Sequence, residues 1–175
     1  NLECQPYNKE NTDVTWEACS LRQWLNKDFY EEAFNESERK AIQSTTVINE
    51  DNPEDGTEGG NDTTDKVYLL SIAEASNPNY GFDAKFNTES ETREAKNTDY
   101  AKVKDAYTGY AGNGDWWLRS PGGDSCYASD VGDDGFGYNK GDRVDYSDIG
   151  VRPALHINLS SAQWSKAGEV SVGSG

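Results

Sequence analysis

The chain has 175 residues, 34% of them apolar, with 17 Gly, five Trp, ten Tyr and five Phe, which is enough apolar material for the core of one domain. Sixteen Lys and Arg against 32 Asp and Glu leave a formal net charge of −16, a field that repels phosphate backbones and anionic lipid, so nucleic-acid and membrane partners are excluded. No run approaches the roughly 18 apolar residues of a membrane span, and Cys4, Cys19 and Cys126 are too few for a disulfide scaffold and lack metal-ligand spacing.

With no Met and with Asn1 at its start, the stretch reads as a piece of a longer protein. Ser20 and Gln23 stand in capping-box relation, and Leu21, Trp24, Leu25 and Phe29 repeat at helical spacing, predicting a helix from Ser20. Asn35 with Glu38 predicts a second helix start, with Ala41 and Ile42 facing inward, and the β-branched residues 45–48 predict an extended segment. Residues 49–65 hold seven acids and three glycines but no Val, Ile, Leu or aromatic side chain, so a mobile acidic surface loop is expected. Residues 66–72 (KVYLLSI) read as a buried strand, and Thr88 with Glu91 and the run through Tyr107 read as one or two polar helices.

Residues 115–121 and 151–159 read as strands, the second with Val151, Leu155, Ile157 and Leu159 inward and Pro153 at an edge or bulge. Between them, residues 122–150 are dominated by Gly, Asp, Ser and Tyr and predict short strands and turns at the surface. The fold class expected for residues 1–175 is a single α+β domain, with short helices packed on a small twisted antiparallel sheet and a long loop-rich C-terminal region.

Five blocks occur in order: TWEACSLRQWLN at 15–26, FYEEAF at 29–34, KVYLLS at 66–71, WWLRSPG at 116–122 and GVRPAL at 150–155. On these the chain resembles a bacterial and phage domain of unknown function, related to the C-type lectin-like and formylglycine-generating-enzyme superfamily. Members of that family serve as variable proteins of diversity-generating retroelements, in which mutagenic reverse transcription rewrites adenines in one C-terminal stretch. The resemblance implies a C-type lectin-like fold and a non-enzymatic role as an adhesin or receptor-binding domain with a hypervariable surface. It implies a protein or glycan ligand, met on a cell surface, in secreted form or on a phage particle. It also implies an opening β segment ahead of residues 2–8, so one strand of the fold is expected from elsewhere.

Adenine mutation of AAC or AAT codons yields Asp, Ser, Tyr, Cys, Phe, Gly, Arg and others, but never Glu, Lys, Gln, Trp or Met. Residues 124–149 hold seven Asp and no Glu, Gln or Trp, whereas the rest of the chain holds 15 Glu and 10 Asp. Lys140 alone departs from the pattern, as a fixed codon would. Asp, Gly, Ser and Tyr also suit tight turns and solvated hairpins, Asp being favoured over Glu because its short side chain caps the local backbone.

Either origin gives a face suited to binding, because tyrosines offer rigid apolar area with a polar tip and Ser, Asn and Asp add adaptable hydrogen bonds. The expected ligand-binding surface comprises the aromatics Tyr127, Phe136, Tyr138 and Tyr146 and the acids Asp124, Asp130, Asp133, Asp134, Asp142 and Asp145. Cys126, Ser129, Asn139, Arg143 and Ser147 complete it. Trp116, Trp117, Arg119 and Arg152 are expected to be structural. The adjacent tryptophans face opposite sides of a strand, one in the core and one at the surface or under a loop, and the two guanidiniums clamp loops through carbonyls or a carboxylate.

Two rival chemistries have weaker signals. Asp130, Asp134 and Gly135 match three EF-hand positions, but Gly132 and Gly141 stand where ligands are needed, so that loop is rejected. Calcium held by Asp133, Asp134, Asp142 or Asp145 would make a calcium-dependent carbohydrate-binding module. A formylglycine-generating oxidoreductase needs a cysteine pair, and Cys126 has no second Cys near it in sequence. His156 alternates outward on its strand as a surface residue. No catalytic residue and no cofactor is therefore expected.

Overall fold

The computed structural model describes residues 1–160; residues 161–175 of the expected domain lie outside the described residues. The chain opens with β1 (Glu3–Cys4) and enters α1 (Ser20–Trp24) one residue away from the expected cap. Cys19 caps it, its sulfur accepting from Arg22 N–H at 3.4 Å, while Ser20 Oγ accepts from Lys9 N–H at 3.0 Å outside the helix. The helix passes through a π-helical turn (Leu25–Phe29) into α2 (Tyr30–Ala33). Within that turn Asn26 reaches the chain at 66–67, donating to Val67 O at 2.8 Å and accepting from Lys66 N–H at 2.7 Å.

Asn35 starts α3 (Glu36–Ala41) with the expected capping box, accepting from Ser37 and Glu38 N–H while the Glu38 carboxylate accepts from Asn35 N–H at 2.8 Å. β2 (Thr45–Val47) pairs antiparallel with β3 (Thr63–Asp65), so the last three residues of the acidic 49–65 segment are a strand, not loop. The remainder of that segment is fastened by polar groups in place of the apolar side chains it lacks. Asn52 Nδ2 donates to Pro121 O, Gly122 O and Asn139 O at 2.9, 3.1 and 2.8 Å, and its Oδ1 accepts from Glu54 and Asp55 N–H.

Val67 and Leu69 are fully buried as expected, but residues 66–71 belong to neither sheet, their β pairing being an isolated bridge from Tyr68 to Ala154, and Ile72 begins α4 (Ile72–Ala75). Of the polar helices expected from Thr88 to Tyr107, α5 (Asp99–Val103) is the helical part. The stretch before it is irregular because buried Arg93 satisfies its carbonyls, donating to Asp83 O, Phe86 O and Thr88 O at 3.1, 3.0 and 2.6 Å.

The last third supplies β4 (Trp116–Pro121), β5 (Tyr127–Val131), β6 (Gly137–Arg143) and β7 (Gly150–Val151). The five-stranded sheet has the order β1-β7-β4-β5-β6, with β4 and β7 parallel and the other neighbours antiparallel, so it is mixed where an antiparallel sheet was expected. Only the start of 151–159 is strand, and Ile157 and Leu159 are 38% and 82% exposed instead of inward-facing.

All six β4 residues are buried. Trp116 and Trp117 point to opposite faces and both are fully buried, so of the two alternatives for the second ring the covered one holds and the surface one does not: the sheet is covered on both sides. Trp117 packs with Tyr7, Trp16, Leu21, Leu25 and Val67; Trp116 packs with Ile72, Phe86, Leu118 and Val131. Both indole N–H groups find carbonyls, Trp116 that of Arg93 at 3.1 Å and Trp117 that of Gln5 at 2.9 Å.

Trp117→Ala is expected to destabilise the fold by about 3–5 kcal/mol. Asn52→Ala removes the donor shared by three carbonyls and is expected to destabilise by about 2–4 kcal/mol, whereas Glu58→Ala, exposed on the same segment, changes stability by less than about 0.5 kcal/mol. Denaturant titrations check the order, and an Asn52→Ala loss no larger than that of Glu58→Ala would mean that the segment is not held by its asparagine.

Candidate functional site

β6 lies at the edge of the five-stranded sheet, and the segment expected to bind ligand forms β5, the turn after it, β6 and the loop to β7. Tyr138 and Tyr146 are 46% and 42% exposed, and Asp124, Asp134 and Ser147 are exposed as well. Cys126, Tyr127, Asp133, Phe136, Asp142, Arg143 and Asp145 are half-buried. Ser129, Asp130 and Asn139 are buried, which corrects their placement on the surface. β5 runs between β4 and β6 in a sheet covered on both sides, so its side chains turn inward whichever way they alternate. Ser129 Oγ donates to Pro121 O and Asn139 O, at 2.8 and 2.9 Å, and ties β4 to β6 from within.

Local contacts shape the exposed part. Asp134 Oδ1 accepts from Phe136 N–H at 2.9 Å in the β5–β6 turn, and the Phe136 ring lies 4.8 Å from that of Tyr138. Arg143 holds Asp145 through two bonds of 3.1 and 2.9 Å and lies 5.6 Å over the Tyr146 ring.

Beside this edge is an acidic pocket of about 280 Å³, lined by Tyr107, Asp115, Asp130, Asp133, Tyr138 and Asp142, with Gly132 and Gly141 in its wall. Asp115 immediately precedes β4, Asp130 sits in register with Trp117 and Tyr138, and Asp142 lies opposite Ala128. Gly141 has φ +62°, and a Cβ there would lie 1.8 Å from Ala128 O, so the irregular β5–β6 pairing at this point requires glycine. Tyr107 and Asp115 fall outside the expected site; an acid directly before a doubly buried tryptophan pair was the available signal for Asp115.

Burial, reinforced by Asp142 and Asp115, holds the Asp130 carboxyl well above the usual range, and Asp130 Oδ1 is buried without a hydrogen-bond partner. Asp115 is pushed up to about 6, mainly by burial and further by Asp133, Asp142 and Asp148, against a hydrogen bond from Asp133 N–H. Burial and then Asp148 raise Asp142. Asp65 is the contrast: equally buried, it accepts from Arg22 Nε, Trp16 Nε1 and Thr63 Oγ1, at 2.7, 3.0 and 2.7 Å.

Arg119 lines a second cleft, of about 320 Å³, with Tyr68, Glu74, Tyr80 and His156. It pairs with Glu74 and donates to Leu69 O at 2.8 Å and Ile48 O at 3.0 Å, the contacts of a clamp. Arg152 stacks 4.8 Å over Trp116 and reaches Arg93 O at 3.4 Å. Buried Arg93, which the sequence did not single out, joins them and donates from Nε to Gly135 O at 2.8 Å in the β5–β6 turn. His156 is exposed, hydrogen-bonded to Thr45 Oγ1 and Tyr68 Oη at 3.0 and 3.3 Å.

The three cysteines are free thiols, and burial pushes Cys19 up to about 12, far from a nucleophile's range. Among the described residues no three His, Cys, Asp or Glu side chains converge to hold a metal ion. Asp134 and Asp145 are committed instead to Phe136 N–H and Arg143.

The chain belongs to the family described as a domain of unknown function, DUF6273, which matches residues 2–159. No curated protein and no solved structure matches it. No helix among the described residues is long and apolar enough to cross a membrane.

A carboxyl raised by folding binds more protons in the native than in the unfolded state between its two pKa values. The stability linked to Asp115 is therefore full below the ordinary carboxylate range and lost as the pH rises through about 6. Asp115→Asn is expected to gain in melting temperature relative to wild type between pH 4.5 and pH 7.5. An unchanged difference across that range would refute the assignment.

Proposed function

We propose that this domain is a non-enzymatic ligand-binding module of C-type lectin-like architecture, an adhesin or receptor-binding domain whose residues 124–148 present a face diversified by a retroelement. One observation carries this reading: the change of composition at Asp124 coincides with the exit from a fully buried strand into a segment that ends at the sheet edge. Before the change, WWLRSP is core; after it, Tyr138, Tyr146, Asp134 and Ser147 face outward.

The chemistry of the edge suits recognition. Tyr138 and Tyr146 are large, carry two side-chain torsions each and keep a polar tip, so they bury area with little loss of rotamer freedom. Phe136 and Arg143 brace them from one side. The buried members of the segment, Ser129 and Asn139, act as fasteners and belong to the framework in this reading. The cysteines form no pair, which argues against a formylglycine-type oxidoreductase, and Asp133, Asp134 and Asp145, three of the four calcium candidates, are taken up by Tyr110 N–H, Phe136 N–H and Arg143, which argues against a calcium-dependent lectin.

Sequencing of the gene segment encoding residues 116–155 across the source population, with its flanking DNA, tests the reading. Variation is expected at adenine-derived codons for Asp124, Asp134, Tyr138, Tyr146 and Ser147, beside an invariant near-copy template, with Ser129 and Asn139 held constant. An invariant segment without a template would remove diversification. In the protein, Tyr138→Ser with Tyr146→Ser is expected to change stability by less than about 1 kcal/mol; a larger loss would place these rings in the core.

A further inference from the structure

Buried Asp130 is the least satisfied carboxylate among those described with buried side chains. Asp65 shares its burial, yet three donors including a guanidinium surround Asp65, while Asp130 Oδ1 has none. Leaving a buried acceptor unpaired is costly, and fixed carboxylates that face one cavity repel one another. Among the described residues no Lys or Arg lines that cavity. Arg143 is engaged by Asp145 and Tyr146, and Lys140 lines a different cleft with Asp55 and Tyr127. The cavity thus suits a positive charge that none of the described residues supplies.

We propose that the pocket bounded by Tyr107, Asp115, Asp130, Asp133, Tyr138 and Asp142 receives a lysine or arginine side chain projecting from a protein ligand. This rests on the reading of the β6 edge as a ligand-binding face and names the class of ligand. At about 280 Å³ the pocket lies just below the roughly 300–1,000 Å³ typical of sites for drug-sized molecules, the size for one extended side chain. Tyr107 and Tyr138, 48% and 46% exposed, are part of its lining, and tyrosine rings attract a cation on its way to carboxylates. An ammonium or guanidinium head brings several donors into one site, which suits carboxylates spread around a wall. A divalent cation needs six or more oxygens drawn tightly around it, and no three carboxylates here are so arranged. Tyr138 joins the two features, because it stands on the exposed edge and also walls the pocket, so a bound protein would cover both.

The test is NMR titration of the 175-residue chain with Nα-acetyl-lysine N-methylamide, Nα-acetyl-arginine N-methylamide, the neutral norleucine counterpart, spermidine and calcium chloride in turn. The expected result is saturable shifts at Asp115, Asp130, Tyr138 and Asp142 with a basic amino-acid amide and none with norleucine. Asp130→Asn is expected to weaken binding roughly tenfold or more, the loss of one charge-assisted bond. Asp142→Asn, at a half-buried position, gives the same readout should Asp130→Asn fail to fold. The proposal is overturned by absence of saturation with both basic amides, by equal response to norleucine, by unchanged affinity in the folded variants, by calcium alone producing the shifts, or by spermidine binding where neither amide does. If the amides fail while variation maps to Tyr138 and Tyr146, the pocket assignment falls and the binding-face reading stands.

Discussion

Burial of β4 on both faces is the constraint from which the rest of the structure follows. A strand that carries tryptophan on each side needs two separate covers, and a chain with few aliphatic residues must collect them from distant segments. Tyr7, Trp16, Leu21 and Leu25 close one side; Ile72, Phe86 and the end of β5 close the other. This accounts for the order of the sheet. β4 sits at its centre, the short β1 and β7 lie on one flank, and the long β5–β6 hairpin extends from the other to an open edge.

The same economy governs the charges. Clamps built on arginine neutralise or tie down irregular chain: Arg119 holds Glu74 and two carbonyls, Arg22 holds Asp65, and Arg93 gathers a whole loop. These cations are spent inside the framework. Beside the hairpin, burial first and neighbouring acids second raise Asp115, Asp130 and Asp142 together, an electrostatic strain that no arginine relieves among the described residues. Strain of this kind at one place in a fold is how a site differs from a scaffold.

What could be read in the sequence follows the range of the interactions involved. The Asn35–Glu38 capping box is local and was legible, as were the burial of residues 67–69 and the clamp character of Arg119 and Arg152 within apolar blocks. The second covered face was not, because period-two alternation says that Trp116 and Trp117 diverge but not what lies on either side. The polar run from Thr88 carried helix signals that lost to Arg93, whose donors reward irregular carbonyls instead. Composition placed the hairpin at the surface as a block; the inward turn of Ser129, Asp130 and Asn139 depends on β5 being an interior strand, a fact of pairing that composition does not hold.

Asn52, Ser129 and Arg93 share one habit: toward the hairpin region each donates only to main-chain oxygens, those of Pro121, Gly122, Asn139 and Gly135. Every residue type carries the same carbonyl, so these bonds are blind to what protrudes from the partner strand. Exchange of an outward side chain at position 138 or 140 leaves the fastening of its neighbours intact. Conformation here is written in the backbone, and the outward side chains can be rewritten without erasing it.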